Sequence, residues 1–207
     1  MTTSEGTGTG TGAVDGRRAR RERGRLAVLD AMVELLREGR TPPTTQELAE
    51  RAGVSAASIF RYFDGLDELR GHTIVHFLAR YQGLFEVPPP TGTLDERITS
   101  FVDSRLRLYE TIAPVARMVR ARMYDEPQLA EQLHRVRLQQ AEQARAHFAV
   151  ELDPLAAAVC DDLVGLVVTT TAFESWDQLT GDHGRTSRQV RRTWTSGLRT
   201  LLAHPPA

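Results

Sequence analysis

The turn at Gly53 constrains this chain more than any other feature. In "TTQELAERAGVSAASIFRYF", residues 44–63, two short helical patterns, 45–52 and 56–62, meet at Gly53-Val54 with almost no chain between them. So abrupt a reversal needs one residue at positive φ, which glycine adopts without the Cβ penalty other residues incur. The second helix crosses the first closely only if the residue at the crossing is small, and Ala49 stands four positions before Gly53. Leu48, Val54, Ile59 and Phe63 supply apolar contacts within the pair and to the preceding helix. Thr44 with Glu47 forms a capping box, and Ser55 is placed to cap the second helix. A lone A-x-x-x-G also occurs in ordinary helical hairpins; here cap, turn and apolar set agree on one geometry.

That geometry is a helix-turn-helix, whose second helix can lie in a DNA major groove. The expected surface of that helix is Ser55, Ala56, Ala57, Ser58, Arg61 and Tyr62. Alanine and serine suit thymine methyls and hydroxyl hydrogen bonds, leaving Arg61 as the one long reader. The helix starts at Thr44, Thr45 and Ser55 offer N–H groups and hydroxyls to phosphate.

The net charge is only −1, so attraction to DNA has to come from a local patch. "RRARRERGR", residues 17–25, carries six arginines against one glutamate. Alone, such a run is a solvated helix start; ahead of a helix-turn-helix, Arg17, Arg18, Arg21 and Arg25 become candidates for backbone or minor-groove contact. All 26 basic residues are arginine, so the choice of arginine over lysine is chain-wide and carries little weight.

The remaining pattern is helical. Residues 1–16 are Gly/Thr-rich with almost nothing to bury and are expected to form a flexible tail. Leu26, Leu29, Met32, Val33 and Leu36 line one helix face, which Gly39 ends. Further faces follow: Leu66, Leu69, Phe77 and Leu84; Ile98, Phe101, Arg105, Leu108 and Ile112; Leu129, Leu133, Val136, Ala144 and Phe148; Val190, Trp194, Leu198 and Leu201. Thr93 with Glu96 and Thr186 with Gln189 form two more capping boxes, and Asp153-Pro154 and Asp125 ahead of Pro127 are further start signals. Residues 154–180 are apolar on more than one side, as a helix between two neighbours would be. No period-two strand stands out, so the expected fold is all-α with about nine helices and interruptions at Pro88–Pro90 and Gly181–Gly184.

The segment "TTQELAERAGVSAASIFRYFDGLDEL", preceded by an arginine-rich amphipathic helix and followed by helices only, resembles the N-terminal DNA-binding domain of the TetR family of bacterial transcriptional regulators. The likeness at motif level covers about residues 26–70. It implies a DNA-binding domain over 17–64 and a ligand-binding and dimerisation domain over 65–207. It further implies a homodimer through residues 154–203, a palindromic double-stranded DNA operator, and a small-molecule effector that releases it. Two positions depart from the family's usual pattern: Phe60 stands where a tyrosine commonly donates to phosphate, and Leu66 where a lysine commonly opens the fourth helix. Arg61, Tyr62 and the N-terminal arginines are expected to take over that work.

Effector contacts are sought among polar or aromatic residues set in apolar faces: Phe101, Arg105, Tyr109, Met118, Arg122, Tyr124, His147, Phe173 and Trp176. Arg105 or Arg122 in such a place would favour an anionic effector. Nothing points to catalysis, a cofactor or a metal. His72 and His76 lack the intervening carboxylate of an H-E-x-x-H helix, Asp161 and Asp162 point to different sectors, and Cys160 has no evident base. A single cysteine excludes an internal disulfide, and no apolar run reaches the roughly 18 residues of a membrane helix. A soluble cytoplasmic protein is expected. Against this stand two alternatives in which the hairpin is only structural: an all-α enzyme or metal-binding bundle, and a helical protein-interaction adaptor.

Overall fold

The structure, a computed structural model, describes residues 11–39 and 43–203. Among these there is no strand. Ten α-helical segments and one 3-10 turn are present among the described residues, nine of the ten helices being seven residues or longer. They divide into two compact units, the first ending at Arg80 and the second beginning at Tyr81.

The first unit holds α1 (Thr11–Arg37), α2 (Thr45–Ala52), α3 (Ala56–Tyr62) and α4 (Leu66–Arg80). Val28, Met32, Leu36, Leu48, Ile59, Phe63, Leu69 and Phe77 are buried at the centre, so α1 is the element on which the other three pack. Arg51 of α2 pairs with Glu34 on α1 at 3.4 Å and with Glu38 just past its end at 2.8 Å. Asp30 of α1 receives both His76 at 2.9 Å and Arg80 at 2.8 Å from α4. By packing, then, α4 lies in the same unit as the three helices of the 17–64 segment.

Three sequence expectations change here. The tail expected over 1–16 is helical from Thr11, the rest of it lying outside the described residues; once a helix is nucleated, each added residue gains a hydrogen bond at small entropic cost. Leu26 is 40 % exposed, because the buried stripe of α1 starts only at Val28. The stripe from Leu66 to Leu84 is broken at Tyr81: Leu66 is exposed, and Leu84 belongs to a 3-10 turn at Gln82–Phe85 that packs in the second unit.

The second unit contains α5 (Leu94–Arg122), α6 (Pro127–His147), the single turn α7 (Ala149–Leu152), α8 (Ala157–Thr170), α9 (Phe173–Gly181) and α10 (Ser187–Ala203). The capping boxes at Thr93 and Thr186 form, with Glu96 and Gln189 accepting from the cap N–H groups at 2.7 and 2.8 Å. Pro127 opens α6 as expected, with Glu126 at the cap position. Asp153-Pro154 instead closes α7, and α8 begins three residues later at Ala157. The apolar run over 154–180 is two helices, broken at Thr171-Ala172. Tyr109, Trp194, Phe101 and Phe148 fill the core, and Val190, Trp194, Leu198 and Leu202 form the buried stripe of α10, with Leu201 at its edge. Pro114 sits inside α5, where its missing N–H leaves the Glu110 carbonyl without its helical donor.

Candidate nucleic-acid interface and effector site

Gly53 has φ +65° and ψ 32°, the left-handed region that only glycine enters without strain. The Val54 N–H donates to the Ala49 carbonyl at 3.0 Å and the Gly53 N–H to the Glu50 carbonyl at 3.3 Å. These two bonds close α2 in a Schellman motif and turn the chain directly into α3. Ala49 is buried at the crossing, as its size requires. Ser55 caps α3, its hydroxyl accepting from the Ser58 N–H at 3.1 Å. The Thr44 hydroxyl is likewise taken up by the Glu47 N–H at 3.2 Å. Both cap hydroxyls therefore serve the helices first, and anion contact falls to the first-turn N–H groups.

The seven residues of α3 fall on two faces. Ala56, Ala57, Phe60 and Arg61 point outward and are exposed, with Ser55 just before them. Ser58, Ile59 and Tyr62 point inward. Of the residues expected on the reading surface, Ser58 is 7 % exposed on the inner side of α3, and Tyr62 is half-buried with its hydroxyl near Gly24 of α1. A step of four residues keeps Ser58 with Tyr62 and Ala57 with Arg61, which separates the two sets. Arg61 joins the faces, its guanidinium donating to the Ser58 hydroxyl at 2.5 Å. Phe60, absent from the expected contacts, is 56 % exposed beside Arg61. The signal was its four-residue spacing from Ala56.

The arginine run lies along α1. Arg17, Arg18 and Arg21 are exposed, and Arg21 donates to the Arg61 carbonyl at the end of α3 at 3.0 Å. Arg25 is partly buried, its guanidinium 5.4 Å from the Phe63 ring centroid, so it holds α1 to the turn after α3. Thr44 is exposed and Thr45 half-buried at the start of α2. The outward face of α3, the α2 start and the arginines of α1 all belong to this one unit.

In the second unit, Phe101, Arg105 and Tyr109 follow one another at four-residue steps on α5, and all are buried. The Arg105 guanidinium lies 4.9 Å from the Phe101 ring centroid and donates to the Gln143 side-chain oxygen of α6 at 3.1 Å. Tyr109 donates to the Thr171 carbonyl at 2.9 Å and meets Phe173 edge-on at 5.6 Å and Trp176 at 6.4 Å between ring centroids. Burial pulls the Arg105 guanidinium below its ordinary value and pushes the Tyr109 phenol up. His147 is buried against Phe101, its Nε2 3.0 Å from the Arg97 carbonyl, and burial holds its pKa below the usual histidine range. Met118 is buried further along α5. Two candidates fall outside this group: Arg122 pairs with Glu126 at 2.6 Å, and Tyr124 is 88 % exposed.

The histidine and cysteine candidates take structural positions. His72 lies 3.3 Å from Glu68 and stacks near Phe63, while Cys160 is buried with its Sγ 2.7 Å from Arg145 Nη1. Among the described residues no three His, Cys, Asp or Glu side chains gather as metal ligands would, and no helix is long and apolar enough to cross a membrane. His204 lies outside the described residues.

A family model described as bacterial regulatory proteins, tetR family, matches residues 28–72. That stretch runs from the first buried residue of α1 through the helix-turn-helix into α4. Over this segment the chain is similar to the TetR family. Its fold extends the likeness beyond the matched segment. The crystal structure of a transcriptional regulator from Rhodococcus sp. Rha1 superposes with a TM-score of 0.62 at 18 % identity, covering 88 % of this chain and 96 % of the other. A TetR-family transcriptional regulator from Mesorhizobium loti MAFF303099 superposes with a TM-score of 0.58 at 16 % identity, covering 90 % of this chain and 97 % of the other. No curated protein matches the sequence. The first unit accordingly contains a TetR-type helix-turn-helix segment, and the second unit is all-α among the described residues.

Proposed function

We propose that this protein is a cytoplasmic repressor of the TetR family that binds a palindromic operator as a homodimer and is released by a small-molecule effector. The observation that carries the reading is the outward face of α3: Ala56, Ala57, Phe60 and Arg61 stand clear of the core beside the exposed arginines of α1. A short helix presenting small side chains, one aromatic ring and one guanidinium suits a major groove, and arginines alongside suit the phosphates. Dimerisation through 154–203 is supported by the outward side of α8, where Ala158, Gly165, Leu166 and Thr169 are exposed and Leu166 is 44 % accessible in the single chain. A second copy would cover these small and apolar residues. Effector binding would favour a dimer whose reading helices no longer match half-sites ~34–36 Å apart, so that ligand and operator oppose each other.

The test is an anisotropy titration of the protein against the DNA flanking its own coding region, at several salt concentrations. A specific site should bind at least about a thousandfold more tightly than random duplex. Equal affinity for both at every salt concentration would remove the operator reading. Sedimentation of wild type and Leu166→Glu tests the dimer, with the variant expected to shift toward the monomer.

A further inference from the structure

We propose that the effector is a hydrophobic monocarboxylic acid whose carboxylate seats on the Arg105 guanidinium. The inference rests on the effector reading above and gives it a ligand class.

Arg105 is 3 % exposed, yet its side-chain partner is an uncharged amide, Gln143, and its other close neighbour is the Phe101 ring. A buried cation is costly unless an anion meets it. The carboxylates of this unit do not. Glu174, at the start of α9, is held by Arg120 at 3.0 Å and Arg137 at 2.7 Å, Asp177 by Arg117 at 2.7 Å, and Glu151 by Arg97. Of the carbonyl oxygens nearby, Thr171 accepts from Tyr109 and Phe85 from the Gln143 amide. A second donor is left over on the facing helix. Trp176 is 7 % exposed and its Nε1 has no protein partner, while its ring lies against Tyr109, the next residue along the Arg105 face of α5. Between α5, α6 and α9, a buried guanidinium without a carboxylate partner and an indole N–H without an acceptor lie among aromatic rings.

A ligand that meets both brings acceptor oxygens and an apolar body. One buried guanidinium balances one negative charge, which fits a carboxylate better than a phosphate dianion. Arg122, the other arginine considered, is already paired with Glu126.

The experiment uses the full chain with matched probes: decanoate and 4-phenylbutyrate against decan-1-ol and 4-phenylbutan-1-ol, followed by tryptophan fluorescence and thermal shift. The acids should bind about tenfold or more tightly than their alcohols. Arg105→Met should abolish that preference, leave the alcohols within about twofold, and melt at or above the wild-type temperature without probe, since an apolar isostere removes an unbalanced buried charge. Arg105→Gln serves as the second variant, keeping a polar reach to Gln143 without the charge. Equal binding of acids and alcohols overturns the acid class and leaves the effector reading standing. A marked drop in the melting temperature of both variants with the acid preference intact shows Arg105 to be structural and overturns the proposal. If no probe of either kind binds, both readings fall together.

Discussion

Tyr62 lies across Gly24, its hydroxyl 2.5 Å from where a Cβ on that glycine would stand. The gap at Gly24 is what lets the inner face of α3 close on α1, and Arg21 ties the same junction through the Arg61 carbonyl. Alanine normally stabilises a helix interior by about 1 kcal/mol over glycine. In urea denaturation Gly24→Ala should show none of that gain, because the ring must be displaced. In a Tyr62→Leu background the same change should stabilise by about 1 kcal/mol, and additivity between the two would refute the contact.

Arg61 is both the long side chain of the outward face and a partner of Ser58. Arg61→Ala should lower operator affinity by about 1–3 kcal/mol and affect random duplex less. Ser58→Ala removes the anchor but not the guanidinium, and a smaller loss is expected. Anisotropy on both DNAs at one salt concentration decides; identical losses on the two mean that Arg61 meets phosphate alone.

Arg97 and Glu151 form an ion pair that is largely buried, with Arg97 also donating to the Gly92 carbonyl at 2.6 Å. Removing one partner strands the other, so Arg97→Met or Glu151→Leu alone should cost about 3–5 kcal/mol in chemical denaturation. The double change should recover most of that loss. Losses that simply add would show that the two groups act independently.

His147 makes stability depend on pH in a defined direction. Its folded pKa lies below the ordinary 6.5, chiefly through burial, so the unfolded chain takes up a proton before the folded one does. The stabilisation is complete above pH 6.5 and declines as pH falls through that value toward the folded pKa. Melting temperatures measured across this window should fall more steeply for wild type than for His147→Gln, and parallel profiles would assign the fall to other groups.

Much of the architecture was legible because local signals and packing coincide. Thr44, Gly53 and Ser55 fix α2 and α3 within twenty residues, and their caps form with the expected partners. The misses arise where a distant element decides. The break at Thr171 has neither glycine nor proline to announce it; Tyr109 of α5 takes the Thr171 carbonyl, a contact that spans 62 residues. Ser58 was expected on the groove-facing surface of the second helix, but Ser55 and Arg61 both bond to its hydroxyl and make burial tolerable. On α5, sequence spacing picked out Arg105, while what distinguishes it from Arg122 is the partner each meets, Gln143 of α6 and Glu126 at the α6 cap.

The arginine run and the buried stripe that begins at Val28 share one helix of 27 residues, roughly 40 Å from end to end. Register along that rod is therefore part of the interface. Inserting a single neutral residue between Arg25 and Val28 would swing every upstream guanidinium about 100° around the axis, turning the basic side away from the reading face while leaving net charge and the buried stripe from Val28 onward unaltered.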